Sequence, residues 1–455
     1  MSLALPLAIP WLAAVALAPL DGRRRWVIWL ASAVLAVELI ALAALALSVF
    51  EYGPQRTVAG GWPPGVGIVL RADALGIVFA LLSGTVLLAA LTREAVDGAR
   101  HRTFPALVLI LQTGLTGLFL TGDVFNFYVF FELSMIASYV LAYYGGEAPQ
   151  ARSALIFAVV NLLGSFIFLI AVAAIYHVTG TLEMTAVADR LSTIGAETTA
   201  VIAVSVFVAF GVKLGLFPFH FWLPSVYGNA RAVVAAILGG AVANIGSYGL
   251  IRFGGELFPE VVRFAAPALL VIASATILYG SVQAIARRTA VEVLAYSAIG
   301  QAGYVLLALV IGGTAGYGAA ILYALVTGLN KVLLFLAAPG RGRLVGTAFA
   351  VGAFSVAGIP PAAGFFGKLA VFESASASPA LLALLFLGSA LSVIYMFQIY
   401  QHDFWREPKS GRPASRAAHA PVVLLAAAVV ALGLWPEPLL SASRGAATAL
   451  QGGSP

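Results

Sequence analysis

Fourteen apolar stretches, each long enough to cross a hydrocarbon layer of about 30 Å, follow one another along this chain with short links between them. They run over 3–20, 26–50, 72–92, 104–122, 124–145, 153–178, 199–222, 230–252, 263–285, 290–312, 315–338, 346–373, 378–402 and 420–440. In lipid, backbone polar groups have to be satisfied within the segment itself, so each stretch is predicted as a helix. The expected fold is an all-α integral membrane protein with about 14 transmembrane helices. Composition agrees: 61% of the 455 residues are hydrophobic and 10% charged, against roughly a quarter charged in soluble domains. The first stretch has no basic residues before it, and Arg23-Arg24-Arg25 follow it. It therefore reads as a helix, not a secretory signal.

Basic residues set the expected orientation. Counted from an external N-terminus, the odd-numbered links carry sixteen Lys and Arg: Arg23–Arg25, Arg93, Arg100, Arg102, Arg152, Arg231, Arg287, Arg288, Arg341, Arg343, Arg406, Lys409, Arg412 and Arg416. The opposite side carries six: Arg56, Arg71, Arg190, Arg252, Arg263 and Arg444. The positive-inside rule then places both termini outside a cell (inner) membrane. The net charge of +6 follows this topology, so lipids and not nucleic acid are the expected anionic partners. The chain has no cysteine, which removes disulfides, iron–sulfur ligation and thiolate catalysis. It also shows no glycine-rich phosphate loop, HExxH pair or histidine cluster. Neither a cofactor nor a metal is expected.

Of 25 Lys and Arg only four are lysine, and three of those lie within predicted spans: Lys213, Lys331 and Lys368. A charge at the bilayer centre costs roughly 2.5–3.5 kcal/mol on insertion scales. A desolvated lysine can exchange its proton, whereas arginine effectively cannot. Two readings stand at this point: the lysines are proton carriers, or they snorkel and pair to hold helices together. Glu132, in the fifth span, is the natural counter-ion for Lys213. Glu38, in the second, has no evident partner and is expected to be protonated or at the lipid edge. Polar residues recur at helical spacing beside these charges: Asn161 and Ser165; Asn244 and Tyr248; Ser297, Gln301 and Tyr304; Tyr323, Thr327 and Lys331. Such stripes either glue helices together or line a hydrated path.

Two spans are predicted to be broken. Lys213 precedes Gly215 and Pro218, and Lys368 follows Gly358-Ile359-Pro360-Pro361. A proline removes one helical hydrogen bond, and in a membrane the freed groups need cover from protein or water. The seventh and twelfth spans are thus five apart, which suggests a repeated transporter fold whose second unit is inverted.

These segments resemble the antiporter-like subunits of the respiratory complex I superfamily, with the D-type subunit of the Mrp-type multisubunit cation/proton antiporters nearest. The resemblance runs over about residues 60–400. It rests on Gly61-Trp62-Pro63, Gly67-Ile68-Val69-Leu70 with Asp73, and Thr121-Gly122-Asp123 through Phe130-Phe131-Glu132. His177-Val178-Thr179-Gly180-Thr181-Leu182, the Lys213 helix, Ala295-Tyr296-Ser297-Ala298-Ile299-Gly300-Gln301 and Ala357-Gly358-Ile359-Pro360-Pro361 complete it. It implies two inverted five-helix repeats, spans 4–8 (104–252) and 9–13 (263–402). Three N-terminal spans (1–103) precede them, and the last span with its tail (403–455) follows. It further implies a Glu132–Lys213 pair, a relay lysine at Lys331, a terminal protonatable Lys368 and a histidine after the first break at His220. The chain departs from the family at Asn244, where a lysine or histidine is usual, and at Thr327, where a histidine is usual. The resemblance implies an ion-translocating subunit, not an enzyme, working with other membrane subunits on protons and on Na⁺ or another cation. A proton-pumping subunit of a complex I-like or membrane-bound hydrogenase complex, or a membrane partner in inorganic-carbon uptake, would carry much the same residues.

Overall fold

The computed structural model describes residues 2–62, 67–406 and 416–451. Pro63 of the Gly61-Trp62-Pro63 motif, and Lys409 and Arg412 of the last basic link, lie outside the described residues. The helices are α1 Leu5–Leu17, α2 Arg25–Tyr52, α3 Ala74–Asp97, α4 Phe104–Phe119, α5 Val124–Ala142, α6 Ala148–Thr179, α7 Met184–Leu191, α8 Ala196–Leu214, α9 Leu223–Asn229 and α10 Ala232–Ile237. They continue as α11 Asn244–Arg252, α12 Pro259–Phe264, α13 Ala266–Ile285, α14 Ala290–Ile311, α15 Gly313–Ala337, α16 Arg343–Ala357, α17 Gly364–Ser374, α18 Pro379–Tyr400, α19 Arg416–Leu434 and α20 Glu437–Leu450.

Among the described residues, ten helices are long and apolar enough to cross a membrane, or eleven if the bent pair α19–α20 is one span. This is fewer than fourteen. The first, fourth and twelfth stretches correspond to α1, α4 and α16, with 13, 16 and 15 residues, and a crossing needs about 20. The last stretch is not one straight helix: Pro436 ends α19, and α20 leaves at 74°. The small side chains Ser443, Ala446 and Ala447 then let α20 lie against α15 and α3.

The fold is not purely helical. Gln55–Val58 and Val69–Ala72 pair antiparallel, with Gln55 opposite Ala72 and Val58 opposite Val69. Side chains cap the helices that leave this end of the bundle: the carboxylate of Asp73 accepts from Gly76 N at 2.9 Å and that of Asp123 from Asn126 N at 2.7 Å. Each satisfies an amide that has no partner within its own helix.

Burial sorts the helices. The segment Ala232–Leu257 (α10, α11 and the π-turns beside them) and α15 are buried throughout, and α14 nearly so, while α2, α6, α13 and α18 bury about a third of their spans. The polar positions Asn244, Thr327 and Lys331 thus lie on the innermost helices. Packing there is close because of glycine: a Cβ at Gly328 of α15 would come within 3.0 Å of Asn244 Nδ2 and 3.2 Å of Gly240 O.

Both breaks have the same local construction. At the end of α8, Gly215 takes a left-handed conformation (φ 73°), with Gly215 N on Val212 O and Leu216 N on Gly211 O. At the end of α16, Gly358 does the same (φ 81°), with Gly358 N on Ser355 O and Ile359 N on Phe354 O. This pattern of two returning amides after a left-handed glycine stops a helix while satisfying its last carbonyls. A proline three residues after each glycine, Pro218 or Pro361, prevents the helix from simply resuming.

Candidate ion-translocation site

Lys213 occupies the last turn of α8, just before the first break, and is buried. Its ammonium donates to Met135 Sδ at 2.7 Å and lies 5.2 Å from the centre of the Phe157 ring. Glu132 is one turn earlier than Met135 on α5 and accepts a hydrogen bond from Ser165 of α6. Among the described residues, no carboxylate comes within 4.0 Å of Lys213, Lys331 or Lys368. The expected Glu132–Lys213 contact pair is therefore not formed. The rotation of α5 points Met135 inward and leaves Glu132 half-buried, on the same side as the exposed Val129 and Ile136.

His220 sits in the short turn Phe219–Trp222 that follows the break. Its ring is buried between Phe217, 5.5 Å away, and Tyr279 of α13, 4.3 Å away. Its Nδ1 has no hydrogen-bond partner among the described residues. In the same turn, Trp222 Nε1 donates to Val212 O at 3.0 Å and so covers a carbonyl at the end of α8.

Asn244 opens α11 directly after a π-turn and donates from Nδ2 to Gly240 O at 2.7 Å. Thr327 on α15 turns back to its own helix and donates to Ala324 O at 3.2 Å. Lys331, one turn further on, is buried, and its ammonium has no hydrogen bond or ion pair among the described residues. The structure thus places Asn244, Thr327 and Lys331 on adjoining, fully buried helices without bonding them to one another.

Lys368, on α17 after the second break, is buried and firmly held. It donates to Ala357 O, at the end of α16, at 3.0 Å and to Ser392 Oγ of α18 at 2.9 Å. The Tyr304 ring lies 5.7 Å away and stacks on Tyr323. Further along α14, Gln301 Nε2 donates to Ser297 Oγ at 2.9 Å, and Ser297 Oγ lies 3.0 Å from Tyr395 Oη. The predicted α14 stripe therefore faces the Lys368 region. Ser392 and Tyr395 were not among the predicted positions, although their spacing with Ser389 on one helix is the same kind of signal.

Two charges lie elsewhere than expected. Glu38 is not at the lipid edge. It is fully buried between α2 and α4 and accepts from Gln112 Nε2 at 2.9 Å and Thr116 Oγ1 at 2.7 Å. Arg252, counted above as a link residue, is also buried. It grips Asp73 in bidentate fashion at 2.7 and 2.8 Å and also bonds Glu256 and the Tyr248 hydroxyl. Arg71 joins both carboxylates. This neutral four-member cluster fastens the hairpin and the start of α3 to α11.

Residues 121–343 match the family described as NADH:quinone oxidoreductase/Mrp antiporter, TM. The chain is 32% identical to the Na(+)/H(+) antiporter D-type subunit of Bacillus subtilis (strain 168) over 95% of its length and 94% of that protein. Its backbone matches a chain of the Mrp complex from Dietzia sp. DQ12-45-1b with TM-score 0.93 and 28% identity, covering 98% and 97% of the two chains. It matches a chain of respiratory complex I from Thermus thermophilus in fold, with TM-score 0.87 at 24% identity, covering 99% of each. The sequence resemblance and the backbone agree, and the chain belongs to the D-type antiporter group of the NADH:quinone oxidoreductase/Mrp antiporter membrane-subunit family.

Proposed function

We propose that this chain is the proton-translocating subunit of a multisubunit monovalent cation/proton antiporter, working beside other membrane subunits in the cell membrane. The observation that carries this reading is the set of three buried lysines without a contacting carboxylate, two of them at helix breaks of the same construction. A fixed structural charge in a membrane is usually paired. Lysines left with carbonyl, hydroxyl, thioether or no partners are instead suited to gain and lose a proton.

In this reading α1, α4, α16 and the α19–α20 pair complete fourteen spans, and residues 104–252 and 263–402 are inverted repeats. Protons pass between Lys213 and Lys331 through water held by Asn244 and Thr327, with His220 beside the first break. They then reach Lys368 along the Ser297, Gln301 and Tyr304 face of α14. Glu132, on the more open face of α5, responds to a neighbouring subunit and biases Lys213 across the gap. The test is Na⁺-driven proton movement in everted vesicles bearing the complete complex. Exchange that needs this chain and is lost with Lys213→Ala supports the reading. Movement that requires an electron donor would move it to a redox-driven complex, the second reading. Orientation is tested separately: cysteines at positions 100 and 287 should label from the cytoplasm and one at 56 from outside. Labelling of all three from one side contradicts the topology.

A further inference from the structure

A hollow of about 320 Å³ opens where the link between α13 and α14 meets the end of α18. Arg287, Arg288, Gln398, Gln401 and His402 line its polar side, and Val293 and Ile399 its apolar side. Much of the polar wall lacks hydrogen-bond partners among the described residues. The Arg288 guanidinium and the side-chain amides of Gln398 and Gln401 have no hydrogen bond or ion pair among the described residues. Arg287 spends Nη2 on Gln283 Oε1 at 2.6 Å and rests 4.7 Å from the Tyr296 ring centre, but its buried Nε has no partner. The carboxylate nearest in sequence, Asp403, is turned to His402 Nδ1 at 2.9 Å. Glu292, at the start of α14, accepts from the Thr289 hydroxyl at 2.7 Å.

The hollow therefore presents two guanidinium groups and two free amides around a space that fits a phosphate and its glycerol. On the same two helices Val282 of α13 and Ile394 and Phe397 of α18 are exposed apolar side chains. Arginine recognises phosphate oxygens through paired, charge-assisted hydrogen bonds, and basic pockets between membrane helices on the cytoplasmic side suit anionic headgroups. We propose that this hollow binds the phosphate of an anionic phospholipid, with acyl chains lying along the outer faces of α13 and α18. A soluble phosphate would share the same polar contacts but not the apolar surface. The site is independent of the proton route, since none of its residues takes part in it.

The test uses the purified complete complex in detergent, titrated by native mass spectrometry or thermal stability with dioleoyl phosphatidylglycerol, dioleoyl phosphatidylcholine or inorganic phosphate. Phosphatidylglycerol should bind or stabilise the complex where the other two do not. Arg288→Gln should weaken that response about fivefold and the Arg287→Gln/Arg288→Gln pair about 25-fold, from about 1 kcal/mol per arginine near an anionic surface. Arg288 is exposed, so its single variant separates lost binding from lost folding. Identical phosphatidylglycerol titrations of the wild type and both variants would overturn the site. Inorganic phosphate acting as strongly as the lipid would overturn the lipid assignment.

Discussion

The two helix breaks share a backbone and differ in what their lysines touch. At the first, the carbonyl of Val212 is covered by the Trp222 indole, so Lys213 plays no part in closing the break. Its ammonium is left with a thioether and an aromatic face. At the second, Lys368 itself covers Ala357 O and is further held by Ser392. Soft partners tie an ammonium weakly, and in the proposed function this leaves the charge state of Lys213 open to influence from Glu132. Carbonyl and hydroxyl acceptors hold an ammonium in one place. One backbone device thus holds two differently partnered lysines, which the proposed function assigns two roles: a site tuned by a distant charge, and a fixed terminal site.

Substitutions at the two breaks should separate these roles. The strongest loss is expected from Lys213→Ala or Lys368→Ala, each lowering exchange by about a hundredfold or more, as loss of a proton-transfer group does. The complexes should assemble normally, which is checked by co-purification of the other subunits. Next, Glu132→Gln should lower exchange about tenfold, and the Glu132→Gln/Lys213→Ala double variant should be little worse than Lys213→Ala alone, since both act on one switch. Glu132→Gln and Lys368→Ala should combine with no such masking if the two units are distinct steps. Losses that add equally in both double variants would remove the distinction between the units.

Ser392→Ala takes one of two acceptors from Lys368. With Ala357 O still accepting, the loss is that of an ordinary hydrogen bond, about 0.5–1.5 kcal/mol, so a drop of roughly two- to tenfold is expected. The matched change at the first break, Met135→Leu, should have little effect. A larger effect at Met135 than at Ser392 would reverse the assignment of loose and fixed sites. The mildest change is expected from Asn244→Lys, which adds a titratable group beside Gly328 and close to the Lys331 helix. It should alter the pH profile of exchange more than its maximum rate. An unaltered profile in an assembled complex would place the proton route elsewhere.

Much of this arrangement was legible in the residues. Lysine at three intramembrane positions, and Gly-x-x-Pro at two of them, pointed to both breaks. The Ser297, Gln301 and Tyr304 spacing pointed to the face that meets the Lys368 region. What escaped was rotation and reach. Sequence names Glu132 as the counter-ion, but whether it or Met135 meets Lys213 depends on a turn of α5 set by tertiary packing. Arg252 counted as a link residue by position, yet Tyr248, Arg252 and Glu256 share one face of a continuous helical segment, and that face meets Asp73, 179 residues earlier. The hairpin was hidden because four-residue strands carry too little alternation to stand out beside long apolar runs.

If the second break is a terminal proton site, Lys368 is needed for the proton it releases and not for its charge. Replacing it by Arg in the reconstituted complete antiporter, and measuring Na⁺-driven proton exchange, tells these two needs apart. Arginine keeps the positive charge and can still donate hydrogen bonds, but it does not give up its proton at any working pH. Exchange in Lys368→Arg should fall to the level of Lys368→Ala, with assembly intact. Exchange at the wild-type rate in Lys368→Arg would show that the second break needs only a fixed positive charge, and that Lys368 is not a proton carrier.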